Sequence, residues 1–321
     1  MYSADRPEYG DNGSYPFVLL RYSTNAMPIV KLCKALSILW NYRQVDTVFF
    51  SGMAMLFLIL PVAMVTRAKK VIILHGHEPR MLHSWRKSLF MYCCNRADYI
   101  VGVSNFAIST LKESSFNSRL KVIPNGIDIS HRYLTKNQCS LPIKLITVGS
   151  VSLRKGQHNV IAAMSALSKE FPGLEYHIIG QRNENIIEQI KRTTDSSIMK
   201  SVFFHGVLSD SEKENWLNSP SIFVMLSENQ PDGDVEGFGI AVLEANLRGM
   251  PAIGSAGTGL EQSVHHGTSG LLIDPKDHHA LVSAIREIVS RYGEFSEGAV
   301  VWALQHDVKK MGESYEMLLK A

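Results

Sequence analysis

Lys144-Leu-Ile-Thr-Val-Gly149 is a short apolar run that ends on a glycine, and an amphipathic stretch over 156–170 follows it after one turn. A buried strand, a glycine turn and a covering helix form the repeating unit of a parallel sheet. The same alternation continues downstream. EYHIIG (175–180), SVFFHG (201–206), IFVML (222–226), PAIG (251–254) and GLLI (270–273) read as strands, with helices expected over 184–193, 210–218, 239–248 and 277–291. Ser209 or Asp210 is suited to cap the helix at 210–218, because its side-chain oxygen can accept from an unpaired N–H group.

Upstream, the pattern repeats on a smaller scale. VDTVFF (45–50), KKVIIL (69–74), ADYIVGV (97–103) and LKVIPN (120–125) read as strands, with helices over 53–65, 84–95 and 105–114; FVLL (17–20) is a further candidate strand. A polar stretch, Thr135 to Pro142, separates the two series. The expected fold is therefore α/β, with two doubly wound, Rossmann-like parallel-sheet domains facing a cleft. They would span 1–140 and 141–305, with a C-terminal helix at 306–321 packing back toward the first. Open parallel sheets bind ligands at the carboxyl ends of their strands, so the cleft between two such sheets is where chemistry is expected.

Composition narrows the classes. At 321 residues with 45% hydrophobic and 20% charged, the chain can bury a sizeable core. A net charge of +3 with no basic block argues against a nucleic-acid partner. Cys33, Cys93, Cys94 and Cys139 form no CxxC pair and fit no zinc spacing, so they read as free thiols in a reducing compartment. The polar, acidic opening MYSADRPEYGDNGS is not a signal peptide. The longest apolar run, Met53 to Val65, is interrupted by Pro61 and falls short of the roughly 20 residues a membrane span needs. A cytoplasmic protein is expected, with peripheral contact at the inner membrane face compatible with its slight positive charge.

Three segments carry the chemistry. In Glu236-Gly-Phe-Gly-Ile-Ala-Val-Leu-Glu244, Gly237 and Gly239 let backbone approach a ligand at the start of a helix. Such a helix start offers free N–H groups and the positive dipole end to a phosphate. Glu236 precedes the helix and Glu244 lies within it, at most roughly 12 Å apart. In Gly149-Ser-Val-Ser-Leu-Arg-Lys-Gly156, Arg154 and Lys155 can neutralise a diphosphate, both bound and as a leaving group. This turn is not a Walker loop, and GxGxxG is absent, which argues against a nicotinamide cofactor. In Leu74-His-Gly-His-Glu78, His75 stands at a strand's carboxyl end, where it can donate to a sugar hydroxyl or phosphate oxygen. Neither His75-Gly-His77-Glu78 nor Asp232-Gly-Asp234 has convincing metal-ligand spacing, and the second reads as an ordinary turn after Pro231.

Together these segments resemble family 4 of the retaining glycosyltransferases, which have the GT-B fold. The likeness covers roughly 70–290 and rests most on the Glu236-to-Glu244 element. Val122-Ile-Pro-Asn-Gly-Ile-Asp128, Arg154-Lys155-Gly156, Phe204-His-Gly-Val207, Gly257-Thr-Gly-Leu-Glu261 and Gly267-Thr-Ser-Gly270 support it. The resemblance implies roles. Lys155 and Arg154, beside Gly149, would hold the donor diphosphate. Glu236 would bind the sugar hydroxyls and Glu244 the ribose. The backbone of Gly237, Phe238, Gly239 and Ile240 would meet the phosphates, His75 would lie beside the reacting sugar, and Gly206 and Val207 would border the base. It implies a UDP- or GDP-sugar donor, a glycan or lipid-linked acceptor, retention of anomeric configuration, and no metal or other cofactor. Lipopolysaccharide, O-antigen or capsule synthesis would be the setting.

Two features depart from the family. Ser150 stands where members often carry an arginine. The first domain also reads as short, with no opening strand and glycine-rich loop before Tyr15; a natural short form and a chain lacking its first β–α unit both fit. A catalytically silent binding or scaffold protein is the alternative reading, distinguished by absence of sugar transfer. A nucleotide-sugar epimerase would need acid–base residues on both sugar faces, and no such set can be assembled.

Overall fold

The computed structural model describes residues 8–9, 18–19, 46–52, 67–112, 117–130, 136 and 138–320. The helix expected over 53–65 and Cys33 lie outside them. Val18–Leu19 (β2) is a strand, paired antiparallel with Glu8–Tyr9 (β1).

The first domain is a four-stranded parallel sheet of Thr47–Ser51 (β3), Lys69–Leu74 (β4), Tyr99–Gly102 (β5) and Leu120–Val122 (β6), in that order. Ser84–Arg96 (α1) covers it through Phe90, Cys93 and Cys94. Burial pushes the Cys94 thiol up to about 12, so it stays protonated and unreactive. The helix expected over 105–114 is a short α-turn, Asn105–Ile108 (α2), that tightens into a 3₁₀ turn at Ser109–Leu111.

The second domain is a six-stranded parallel sheet. Its strands are Lys144–Val148 (β7), Glu175–Ile179 (β8), Val202–Gly206 (β9), Ile222–Met225 (β10), Ala252–Ser255 (β11) and Gly270–Ile273 (β12). Their order is β12-β11-β10-β7-β8-β9, so the chain winds outward from β7 one way and then from β10 the other. That reversal is a topological switch point, where the loops leaving β7 and β10 lie side by side at the carboxyl edge of the sheet.

Helices cover both faces. Gln157–Glu170 (α3) and His278–Ser290 (α8) bury Val160, Met164, Leu167, Leu281 and Ile285 against one face. Asp210–Leu217 (α6) and Ile240–Leu247 (α7) pack Leu217, Val242 and Ala245 on the other. Glu184–Thr193 (α4) and Ser196–Met199 (α5) connect β8 to β9. Ser209 is the cap of α6, in a reciprocal pair with Glu212; Asp210 is already the first helical residue.

Two further helices, Tyr292–Gln305 (α9) and Val308–Lys320 (α10), return the chain to the first domain. Ile127 N–H donates to His306 O, and Val308 N–H to Ile127 O, at 2.8 and 2.9 Å. Beyond that bridge Met311, Tyr315, Leu318 and Leu319 of α10 cover Val71, Val101 and Ile123 of the first sheet.

One packed cluster between β8, β9 and α6 is sensitive to acid. His177 is 5% exposed. It stacks on Phe203 at 4.9 Å and lies 4.4 Å from Trp216. Its Nδ1 is 3.0 Å from His205 Nε2, and its Nε2 is 3.1 Å from Glu175. Burial lowers both imidazoles below the ordinary value; at His177 the bond to Glu175 opposes this, while His205 and Lys144 add to it. The unfolded chain then takes up these protons first as pH falls, so stability present above about 6.5 is lost below it. His177→Phe should blunt the fall in urea midpoint between about pH 7.5 and about pH 5.5; an unchanged fall would show that His177 does not titrate in this range.

Candidate active site

The loops leaving β7 and β10 meet at the switch point. In the turn 149–156, Ser152 caps a 3₁₀ turn at Leu153–Lys155, and Gly156 follows with φ +69°. A Cβ on Gly156 would lie 1.6 Å from Leu226 O, so only glycine lets this turn rest on the end of β10. Glu228 N–H donates to Arg154 O at 2.9 Å. The Glu228 carboxylate in turn accepts from Asn159 at 2.6 Å and lies 3.1 Å from both His158 and Lys276. Burial alone would raise this carboxyl, yet the Asn159 and Lys276 contacts hold it below the ordinary value.

The result is a compact charged cluster. Glu236 Oε2 accepts from Arg154 Nη1 at 2.5 Å and from Lys155 Nζ at 2.6 Å. Arg154 Nε also meets Asp234 at 3.1 Å. The Glu236 side chain is 11% exposed and that of Lys155 14%, so this pair is largely withdrawn from water, while Asp234 stands at the exposed edge of the cluster. The Lys155 stem runs beside Gly149, where a Cβ would come within 3.3 Å of its Cε. Asp234, which the sequence presents as part of a turn, is thus also a partner of Arg154.

After Glu236 the chain turns through Gly237, Phe238 and Gly239 into α7. Gly239 is left-handed at φ +88°. The first turn of a helix leaves N–H groups without internal acceptors, which fits this corner for an anion. Gly259 N–H donates to Glu236 O at 2.8 Å, fastening the corner to the 257–261 loop. The Phe238 side chain packs into a cluster with Val103, Ala107 and Ile127 of the first domain, so only its backbone faces the corner.

The first domain supplies the opposite wall. Ser104 Oγ donates to Gly237 O at 2.6 Å, and a Cβ on Gly237 would lie 1.5 Å from His75 O. His75 itself is exposed at the end of β4, its Nε2 2.9 Å from Ser51 Oγ. Behind it Glu78 is completely buried and accepts from the His75 and Gly76 amides. Among the described residues no cluster of three His, Cys, Asp or Glu side chains is arranged to hold a metal ion.

The structure therefore brings together Gly149, Arg154, Lys155, Glu236, Gly237, Phe238, Gly239, Ile240 and the backbone of His75. Glu244 lies a turn along α7, where it pairs with Lys213 at 3.8 Å. Gly206 ends β9 and Val207 follows it; Gly180 N–H, in the loop after β8, donates to Gly206 O at 2.9 Å, and Val207 is 78% exposed. Ser150 is exposed, and its carbonyl accepts from Gln157 Nε2 at 3.0 Å. Asp234, Glu78 and Ser104 were not singled out by the sequence for these contacts; Asp234 and Ser104 act through partners 80 and 133 residues away, whereas Glu78 holds the amides of its own turn.

Comparison with known proteins points the same way. The family model described as glycosyl transferases group 1 matches residues 138–298, and that described as glycosyltransferase family 4 matches 4–131. A GDP-mannose-dependent monoacylated alpha-(1-6)-phosphatidylinositol monomannoside mannosyltransferase of Corynebacterium glutamicum is 27% identical over 291 residues, covering 85% of this chain and 75% of its own. A putative colanic acid biosynthesis glycosyltransferase, WcaL, of Salmonella typhimurium is 25% identical, covering 70% of this chain and 56% of its own. Among solved structures, HepE of Anabaena in complex with UDP and glucose superposes with a TM-score of 0.74 at 19% identity, covering 90% of this chain and 81% of that one. Sucrose-phosphate synthase from Thermosynechococcus elongatus gives 0.73 at 18%, covering 98% and 83%. These structural likenesses show the two-domain GT-B fold.

Proposed function

The chain belongs to the glycosyl transferases group 1 family, and on that premise we propose that it moves a sugar, with retention of anomeric configuration, from a nucleotide-diphosphate sugar to a glycan or lipid-linked acceptor. The observation that carries this reading is the pairing of Arg154 and Lys155 with Glu236 beside the N-terminus of α7. Two cations and a helix start form a site for a diphosphate, and the carboxylate beside them is placed for sugar hydroxyls.

In this reading the donor diphosphate takes over Arg154 and Lys155, and Glu236 turns to the sugar. The bond from the anomeric carbon to the phosphate oxygen breaks, and the cations stabilise the charge that gathers on the departing diphosphate. The acceptor hydroxyl forms the new bond on the same face and passes its proton to the leaving phosphate, giving the glycoside and a nucleoside diphosphate. His75 borders the reacting sugar, Glu244 the ribose, and Gly206 and Val207 the base. No metal or other cofactor takes part.

The relatives named for GDP-mannose and the structure solved with UDP support a GDP- or UDP-sugar donor. WcaL, named for colanic acid biosynthesis, supports cell-surface polysaccharide as the setting. A lipid-linked acceptor would place the protein peripherally at the inner membrane face; among the described residues no helix is long and apolar enough to cross a membrane.

Incubation with UDP- and GDP-sugars and candidate acceptors, followed by proton NMR of the anomeric signal, tests the reading. A product with the donor's configuration is expected. An inverted product would overturn retention, and no transfer or donor hydrolysis with any donor would favour a silent scaffold.

A further inference from the structure

Gly76 is where the first domain meets the donor loop, and the contact is backbone against backbone. A Cβ on Gly76 would lie 3.0 Å from Gly237 Cα, and one on Gly237 would lie 1.5 Å from His75 O. No side chain can adjust to fill or open such a contact. Its position is set by whatever fixes the turn from His75 to Glu78.

Two charged groups fix it, one of them completely buried. Glu78 is 0% exposed. Its two oxygens each lie 3.0 Å from the His75 N–H, and one accepts the Gly76 N–H at 2.9 Å. From the other side Arg80 Nη1 donates to Gly76 O at 2.7 Å. The same guanidinium is anchored on Phe106 O at 3.0 Å and Ser109 Oγ at 2.8 Å, and lies 4.2 Å over the Phe106 ring. Gly76 is therefore gripped at its amide and its carbonyl. The nearest imidazole to Glu78 is that of His77, at 4.0 Å.

A carboxylate with no exposed surface is costly to bury, and a packing role alone would be met by an apolar side chain of similar size. What an apolar residue cannot do is accept two successive amides. We propose that Glu78 is a positioning residue for the sugar transfer: it holds the His75 and Gly76 amides so that the first domain's turn meets Gly237, and thereby sets His75 against Glu236. Arg80 completes the grip. The proposal rests on the transferase reading for its effect on turnover, but not for its effect on the donor loop.

Glu78→Gln in the full chain tests it. The amide is isosteric but keeps only one, uncharged acceptor oxygen and sets an NH₂ against the His75 N–H, so the grip is weakened while the volume is kept. Turnover is expected to fall by about 10- to 100-fold, with KM for the donor and nucleotide binding little changed, since about 1 Å of misplacement suffices for such a loss. Hydrogen exchange should quicken in peptides covering 235–239, in the other domain, and stay unchanged over 222–226. Arg80→Met, which frees the Gly76 carbonyl and leaves Glu78 in place, should give the same pattern and carries the test should Glu78→Gln fail to fold. Wild-type turnover with unchanged exchange at 235–239 would overturn the proposal, as would a uniform loss of protection in both domains. A wild-type chain that transfers no sugar would instead count against the transferase reading, and the exchange result would still decide the role of Glu78.

Discussion

Glu236→Gln is expected to lower sugar transfer by at least about 100-fold while leaving nucleoside diphosphate binding intact or tighter. Both Arg154 and Lys155 converge on one oxygen of Glu236. A diphosphate arriving in this corner competes with that carboxylate for the same two cations. Removing its charge removes the competitor and leaves a neutral, weaker acceptor for the sugar hydroxyls, so binding of the nucleotide and turnover of the sugar move in opposite directions. The stability loss should be modest, about 1–2 kcal/mol. That is below the roughly 3–5 kcal/mol of a fully buried broken pair, because Arg154 keeps Asp234 and both cations retain some water. Steady-state transfer and nucleotide titration on the same preparation check both halves. Near-wild-type transfer would place the donor sugar elsewhere.

Gly237→Ala should be as damaging to turnover and for a different reason. The added Cβ would lie 1.5 Å from His75 O and cannot be relieved by a side-chain rotation. The two domain loops must separate by at least about 1.5 Å to reach ordinary contact, and the Ser104 bond to Gly237 O must lengthen with them. Loss of transfer by more than about 100-fold is expected, together with weaker protection of 235–239 in hydrogen exchange. A variant with normal kinetics would mean that the loops separate without consequence for transfer.

Strand and helix periodicity makes most of the architecture legible in the sequence. KKVIIL reads as a strand over 69–74 and is one, Lys69–Leu74. The helix α9 was not legible, and its chemistry explains why. It follows α8 with only Arg291 between them and has no capping side chain. It also contains Gly298, where a Cβ would lie 2.3 Å from Thr268 O. Close packing demands a glycine in the helix interior, and that same glycine weakens the helical signal.

The site was legible as separate pieces. Arg154, Lys155 and Glu236 each announced themselves by position after a strand or before a helix, but their partners did not. Arg154 meets Asp234 and Glu236 across 80 and 82 residues of sequence. Only the adjacency of β7 and β10 at the switch point brings them within reach. Asp234 was hidden by its own neighbourhood, since Pro-Asp-Gly-Asp is also good turn chemistry, and Asp234 N–H does close a turn on Asp232 at 3.0 Å. Glu78 was visible beside two histidines, a setting that draws attention to metal ligation; its role in gripping amides depends on complete burial, which sequence does not display.

Thermal unfolding of the purified protein with UDP, GDP and ADP, beside Lys155→Ala, bears most directly on the existence of a donor site. A nucleotide at a hundred times its dissociation constant adds roughly 2.7 kcal/mol to the stability of the folded state. A clear upward shift with one of the three, lost in Lys155→Ala, is the expected result and names the base. No shift with any of them, or a shift that survives the loss of Lys155, would contradict a diphosphate site at the Arg154–Lys155–Glu236 cluster.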